Sequence, residues 1–490
     1  MLLKEFNDGK LIVNYEIFLY GIVFVSFLIL FFNFFFPINI YFNFIFFIVP
    51  IFVIFFFKDY FNFGFISSLK YLIIITLISS FLMMFDNSNR PDAGLYHLPY
   101  TNIINDSKII FGITNIHFRF GHISILQYLS APYYYGPQMS GGITVPIAII
   151  YSVFISFFFE IFFSRNKNDY HNFLSFFLLF AALYGMNRYS GMGNDVPAHL
   201  FYFLVIYFFL TNLNSSSYQN NFNKQMIYSS FCFLCKPTLL FVFLLPAYDF
   251  FKNFKNLRFF KIFLICFIML FSWLIKNYIT SSCLLYPSAI TCFETPWSSA
   301  TSIQSNPLLV ENMSEAWSKD FPNRINKNLN YENYLENFKW VSTWFQFHFK
   351  IILENILIYI VFFIFIIFRV INFEINKNDK DNKLRIFFFF IASSVSLIFW
   401  FNKFPIYRYG ESIIISFILS IILLIILYQN KNKYNFKFLR FILSIIIIVV
   451  ISKNTVRIIH QDYKEYNNYP WPKLYSYNKK NNQIEYKKIF

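Results

Sequence analysis

The chemistry-bearing residues of this sequence are concentrated in one polar segment, residues 86–121, between long apolar runs. Two carboxylates and an imidazole are its candidate catalytic groups, Asp86, Asp92 and His97, and the phenol of Tyr96 is a candidate for substrate binding. Pro91 suits the first position of a short helix, which we expect to end at Pro99. Asp92 then lies one turn before Tyr96 on the same face. Its carboxylate could act as a general base on a substrate hydroxyl. Alternatively, Asp92 only stabilises the start of the helix through the helix dipole.

A second group of residues could bind an anion or orient a polar substrate: His117, Arg119, Arg188, Asp195, Lys236 and Arg408. Arg can bind phosphate in bidentate fashion, and Lys offers a point charge. Structural alternatives exist for this group. His117 and Arg119 could belong to an amphipathic interfacial segment, Asp195 could cap the next helix, and Arg408 could extend to the lipid headgroups. The three His of segment 86–122 together with Asp92 could also hold a divalent metal, although no HxxxH spacing is present.

Long apolar runs decide the fold class. Of the 490 residues, 57% are hydrophobic and 13% are charged, whereas soluble domains carry about 25% charged residues. Runs of this length cross a hydrocarbon core of about 30 Å, so we predict an all-α polytopic transmembrane bundle of about 11–13 spans. The eleven continuous spans are expected near residues 17–36, 38–57, 69–85, 143–163, 170–186, 197–211, 259–281, 351–371, 386–401, 412–428 and 439–452.

The distribution of Lys and Arg predicts which loops face outward. The net charge is +16, and basic residues gather in alternate loops, as expected when those loops are cytoplasmic. This charge pattern explains the basic composition without a nucleic-acid partner. With the N-terminus inside, the outward segments are a first loop, a short turn, a large loop and a second short turn: 86–142, 187–196, 282–350 and 402–411. The membrane domain then covers residues 1–452, and residues 453–490 form an outer tail.

One span is expected to be broken. Both loops that flank residues 226–249 are basic enough to be cytoplasmic, so this segment should enter and leave on the same side. Lys236-Pro237 stands at its middle, and proline breaks a helix because it lacks a backbone donor. We therefore predict a hairpin with Lys236 near its outer tip, where protein or a water-filled cavity must surround the non-helical backbone.

Two cysteines fall in the large outward loop. Cys283 and Cys292 are nine residues apart, and an oxidising compartment favours a disulfide between them. Two free thiols are the alternative.

Several strings resemble a known family when they are taken as a set: DAGLYHLPY, IIFGITNIHFRFGHIS, RYSGMGNDVPA, IKNYITSSCLLYPSAITC and FPIYRYG. They look like an uncharacterised bacterial family of GT-C-like membrane proteins, and thereby resemble the GT-C superfamily of integral-membrane glycosyltransferases. The resemblance covers roughly residues 80–430. It implies a sugar donor carried on a polyprenyl phosphate, a glycan or lipid acceptor, and transfer at the outer face of the bacterial cytoplasmic membrane.

The sequence departs from the GT-C pattern in two respects. The acidic loop follows the third span rather than the first, and Asp86 and Asp92 are six residues apart rather than a paired motif. The identity of the base and the need for a divalent metal therefore stay open. Our expected mechanism has Asp92 as base, with Lys236, Arg408 and Arg119 stabilising the phosphate leaving group. The alternatives are another lipid-linked polysaccharide enzyme, namely a polymerase or ligase, and a transporter or flippase.

Overall fold

A computed structural model of the chain describes residues 14–56, 63–84, 93–134, 142, 144–163, 169–185, 194–212, 218–254, 258–298, 306–369, 380–428 and 436–460. The first nine helices are α1 (Asn14–Asn33), α2 (Ile40–Phe56), α3 (Phe63–Met84), α4 (Leu98–Asp106), α5 (Ile125–Ser130), α6 (Val145–Phe163), α7 (Asp169–Gly185), α8 (Asp195–Leu210) and α9 (Tyr218–Cys235). The remaining nine are α10 (Leu244–Lys252), α11 (Phe260–Ser281), α12 (Pro307–Ser318), α13 (Tyr331–Leu335), α14 (Val341–Trp344), α15 (Lys350–Arg369), α16 (Lys380–Lys403), α17 (Tyr407–Tyr428) and α18 (Phe436–Ile459). Short 3₁₀ and π turns join several of them.

The all-α membrane bundle predicted from composition is confirmed. Among the residues that the structure describes, seven helices are long and apolar enough to cross a membrane, and four shorter apolar helices accompany them. Each of the eleven continuous spans expected from the sequence overlaps one of these helices. The chain is therefore a multi-pass membrane protein. Apolar faces of the outermost helices, such as α2 and α11, carry exposed Phe and Ile, as lipid-facing surfaces do.

Helix α8 forms the centre of the bundle. Its side chains from Pro197 to Leu210 are all buried, which is the expected position for a helix that is hydrophobic on every face. It packs against α9 on one side and against α17 on another. Because α8 has 16 residues, it is about 24 Å long and connects the two ends of the bundle.

Residues 218–252 form the hairpin that the sequence predicts. Helix α9 stops at Cys235, Lys236 is extended, and a 3₁₀ segment from Pro237 leads into α10. The two arms return to the same place, because the Tyr218 hydroxyl donates to the Asp249 carbonyl at 2.8 Å. The tip of the hairpin, Lys236, therefore lies at the opposite end of the bundle from Tyr218 and Asp249.

The end of the bundle that carries residues 93–134 and 282–350 is called the loop end, and the opposite one the far end. Buried charges at the far end are paired: Arg385 contacts Asp249 at 2.7 Å and Lys224 contacts Glu16 at 2.7 Å. Asp249 also accepts hydrogen bonds from the side chains of Asn212 and Gln225, both at 2.8 Å. This network holds α8, α9, α10 and α16 together, and its satisfied charges indicate a structural role.

At the loop end, residues 93–134 pack on the end of α11 and the segment after it. The Thr114 hydroxyl donates to the Thr280 carbonyl at 3.1 Å, and the Asn115 amide donates to the Trp297 carbonyl at 2.7 Å. Cys283 and Cys292 are joined by a disulfide in this region. The loops after the third and the seventh predicted spans therefore form one unit above the bundle.

Candidate functional site

Three of the sequence-predicted residues meet at the loop end of α8. The Lys236 ammonium contacts the Asp195 carboxylate, and Arg408 Nε lies 3.9 Å from the second carboxylate oxygen of Asp195. We call these three residues the cation cluster. The Lys236 ammonium also lies 3.5 Å from the centre of the Tyr409 ring. Within these three residues, two cations thus face one carboxylate.

Each member of the cation cluster is placed by the end of an element. Asp195 is the first residue of α8, where the helix dipole favours a carboxylate. The helix-cap position belongs to Asn194, so the alternative that Asp195 caps α8 is wrong. Lys236 is the hairpin tip, and Arg408 is in the first turn of α17. The Lys236 side chain is 9% exposed and that of Arg408 is 39% exposed, so Arg408 is the cation that a ligand reaches first.

His199 fixes the position of Asp195 relative to Arg408. Its Nε2–H donates to the Arg408 carbonyl at 2.8 Å, which leaves Nδ1 to accept from the Ser412 hydroxyl at 2.7 Å. His199 is one turn after Asp195 in α8, and Ser412 is one turn after Arg408 in α17. The fully buried imidazole therefore joins the two helices directly beneath the cation cluster.

The first outward loop reaches the same place through Gln127. The Gln127 amide nitrogen lies 2.6 Å from His97 Nδ1 and donates to the Asn194 side chain at 3.1 Å. A capping box with Ser124 holds Gln127 at the start of α5. Gln127 thereby links His97, which the sequence predicts as a candidate catalytic residue, to Asn194, the residue before Asp195. These contacts do not by themselves assign a catalytic role to His97.

Tyr96, Arg119 and His117 form a second cluster beside His97. The rings of Tyr96 and His97 are 4.1 Å apart, and the Arg119 guanidinium lies 5.7 Å from the centre of the Tyr96 ring. His117 Nδ1 accepts from the Arg119 backbone at 3.2 Å. Burial and the nearby Arg119 charge hold the pKa of His117 below its ordinary value. The imidazole is therefore neutral at neutral pH, and Arg119 is the cation of this cluster.

The short helix predicted to end at Pro99 does not end there. A π turn over Ala93–His97 runs into α4, which continues to Asp106. Pro99 stands in the first turn of α4, where no backbone donor is needed, so it begins this α-helix instead of stopping the element. Tyr96 and His97 consequently precede a helix that packs into the bundle.

Three sequence-predicted residues, Asp86, Asp92 and Arg188, lie outside the described residues. Among the residues that the structure describes, no group of three His, Cys, Asp or Glu side chains could hold a metal ion. The three His of the first loop are dispersed: His97 contacts Gln127, His117 contacts Arg119, and His122 lies against the Tyr286 ring at 5.3 Å.

The sequence interpretation missed three residues of the site: Gln127, His199 and Glu411. Gln127 is uncharged in an unremarkable stretch and gives no signal. His199 could have been found, because it follows Asp195 by four residues and shares its helix face. Glu411 could have been found as well, because a carboxyl one turn after Arg408 in a long apolar span is unusual.

Residues 2–415 of the chain match a family model described as Domain of unknown function (DUF8201). This match spans most of the 490 residues, and the chain therefore belongs to that family. It includes every described residue of the candidate site and stops before α18. No curated protein and no solved structure matches the chain.

Proposed function

We propose that the chain is a membrane glycosyltransferase. It moves a sugar from a polyprenyl-phosphate donor to a glycan or lipid acceptor at the outer face of the bacterial cytoplasmic membrane. The observation that carries the proposal is the convergence of Lys236 and Arg408 on Asp195 at a helix break within a lipid-embedded bundle. The GT-C resemblance of the loop sequences supports the same reaction class.

The charge distribution supports an outer location for this site. Three basic residues at the far end, Lys224, Lys252 and Arg385, lie in or beside the Asp249 network. Such residues favour the cytoplasmic side. The loop end, with its disulfide between Cys283 and Cys292, then faces the oxidising side.

The chemistry follows from the charge that develops during sugar transfer. The bond between the anomeric carbon and the phosphate oxygen breaks, and its electron pair leaves with the phosphate. The extra negative charge is stabilised by pre-positioned cations. Arg408 is exposed enough to contact the phosphate, and Lys236 supplies a second positive charge from the buried side. Asp195 keeps both cations in position.

The test is transfer by the purified protein. Polyprenyl-phosphate sugars with a labelled sugar are supplied with lipid and glycan acceptors, and we expect labelled product and free polyprenyl phosphate. Retention of polyprenyl phosphate is measured separately by native mass spectrometry. A hydrogen bond to a charged group contributes about 1.5–3 kcal/mol, so K236M and R408M should each weaken retention about 10- to 100-fold.

The matched control is K339M. Lys339 is an exposed cation of the same loop end, 3.8 Å from Glu336, and its replacement should leave retention unchanged. Failure of the wild-type protein to retain polyprenyl phosphate and to transfer any sugar would refute the proposal. Passage of an intact lipid-linked sugar across vesicles, with no transfer, would favour a flippase instead.

A further inference from the structure

We propose that Glu411 is the catalytic base of this site and that its carboxyl group, beside the Tyr359 hydroxyl, binds the acceptor hydroxyl. This inference rests on the proposed glycosyl transfer. Glu411 is in the first turns of α17, three residues after Arg408, and its side chain is only 7% exposed. Its Oε1 atom is buried and receives no hydrogen bond from any described residue. A buried carboxylate oxygen of this kind is expected to have a partner.

Two other buried carboxylates of the described chain differ from Glu411 because each has a cation. Glu16 is paired with Lys224 at 2.7 Å, and Asp249 is paired with Arg385 at 2.7 Å. A buried charge is unfavourable without such a partner. Glu411 has no cation among its described contacts, although Arg408 is on the same helix one turn away. That guanidinium instead approaches Asp195.

The carboxyl group of Glu411 packs against a glycine and lies close to a phenol. A Cβ atom added at Gly185, the last residue of α7, would lie 2.3 Å from Glu411 Oε1 and 3.0 Å from the Tyr359 hydroxyl. The Tyr359 hydroxyl is also buried without a hydrogen-bond partner in the described part of the chain. The Tyr184 ring, next to Gly185, lies 5.8 Å from the Tyr359 ring. A carboxyl group, a phenol and flanking rings suit a sugar hydroxyl.

The position of Glu411 relative to the cation cluster fits the reaction. Residues three apart on a helix have Cβ atoms about 5–6 Å apart. A phosphate held by Arg408 therefore leaves its attached sugar within reach of the Glu411 carboxyl. Ser412, the next residue, is hydrogen-bonded to His199, which also holds the Arg408 backbone. One turn of α17 thus fixes both Glu411, the proton acceptor, and Arg408, which contacts the leaving phosphate.

The proposed reaction transfers one proton to Glu411 and one electron pair to the leaving phosphate. The acceptor hydroxyl transfers its proton to the Glu411 carboxylate, and its oxygen forms a bond to the anomeric carbon. The bond from that carbon to the phosphate oxygen breaks, and the phosphate leaves with the electron pair toward Arg408 and Lys236. Glu411 later returns the proton to solvent. The role of base thereby moves from Asp92, the sequence-based candidate, to Glu411.

The test uses E411Q, which keeps the size of the side chain and removes the basic oxygen. General-base catalysis typically contributes 10²- to 10⁴-fold, so we expect at least a 100-fold loss of sugar transfer. Retention of polyprenyl phosphate and the apparent unfolding temperature should stay at wild-type values. E354Q, the same replacement at an exposed Glu near the loop end of α15, is the control and should retain full transfer.

Two results would overturn the assignment. Wild-type transfer by E411Q would show that Glu411 is not the base. Parallel loss of transfer, lipid retention and stability in E411Q would show a structural role. Wild-type protein that transfers no sugar would instead refute the proposed function, so the two failures are distinguishable.

Discussion

The His199 imidazole donates to the Arg408 carbonyl at 2.8 Å across 209 residues of sequence. This hydrogen bond, together with the one from Ser412, holds the first turn of α17 against the first turn of α8. The relative position of Asp195 and Arg408 depends on these two bonds, because Asp195 is one turn before His199 and Arg408 is one turn before Ser412. The cation cluster is therefore assembled by a residue that does not itself face the ligand.

Replacement of His199 should weaken both stability and ligand binding. H199A removes the two buried hydrogen bonds that the imidazole makes with the Arg408 carbonyl and the Ser412 hydroxyl, which should lower the free energy of unfolding by about 2 kcal/mol. The retention of polyprenyl phosphate should fall together with the free energy of unfolding. S412A removes only one of the two bonds and should have a smaller effect in the same assays. Equal retention in H199A and wild type would contradict this positioning role.

The Asp195–Lys236 contact should show strong coupling in a double-mutant cycle. Either D195N or K236M leaves one charge without its partner near a buried helix end, and each should destabilise the protein by about 3 kcal/mol. The double variant should be less destabilised than the sum of the two. Thermal unfolding of all four proteins in one detergent gives the cycle. Additive effects would mean that the contact contributes nothing to stability.

The hairpin can be tested by labelling from either side of the membrane. With the three free cysteines Cys232, Cys235 and Cys266 replaced by alanine, a single cysteine is introduced by Q219C, K252C or P237C. The first two should react with an impermeant maleimide from one side and P237C, at an exposed position next to the tip, from the other, because the arms of the hairpin meet at the far end. Reaction of Q219C and K252C from opposite sides would rule the hairpin out.

A buried lysine without a hydrogen-bond partner among the described residues should be destabilising. Lys276 is fully buried, and its ammonium lies 3.9 Å from the Trp273 ring without a hydrogen-bond partner among the described residues. Because an unpaired buried polar group is unfavourable by about 1–3 kcal/mol, K276M should raise the unfolding temperature. K224M, the same replacement at a lysine paired with Glu16, should lower it. A lower unfolding temperature for K276M would reveal a stabilising contact of the ammonium.

Two glycines should respond to alanine in opposite ways. A Cβ at Gly185 would lie 2.3 Å from Glu411 Oε1, whereas nothing lies within 4 Å of a Cβ at Gly21. G185A should therefore destabilise the protein by about 1–3 kcal/mol. G21A, inside α1, should stabilise it by up to about 1 kcal/mol. Unfolding temperatures of the two variants provide the comparison, and a neutral G185A would mean that the Glu411 side chain moves away without strain.

Much of the fold could be predicted because it is dictated by local signals. The length of each apolar run determines a span, and Lys236-Pro237 determines the break in the hairpin. The prediction for Pro99 was wrong, since proline is compatible with both the beginning and the end of a helix. The π turn before Pro99 shows that α4 begins there. Local signals thus identify elements better than they identify element boundaries.

The candidate site was predictable only in part. Charged residues at span ends such as Asp195, Lys236 and Arg408 attract attention in an apolar sequence, but their meeting depends on how three distant elements pack. The contribution of Gln127 depends entirely on tertiary contacts with His97 and Asn194. Residues of ordinary polarity that join elements could not be found from one sequence.

The burial of α8 along its whole length has a consequence for how the protein responds to its lipid surroundings. Outer helices such as α2 and α11 expose apolar side chains to the acyl chains, whereas α8 is shielded by protein. A thicker or thinner bilayer tilts or bends the outer helices at a modest energy per ångström of mismatch. One rigid helix instead fixes the separation of about 24 Å between Asp195 and the Arg385–Asp249 pair. The geometry of the cation cluster is therefore insulated from changes in membrane composition.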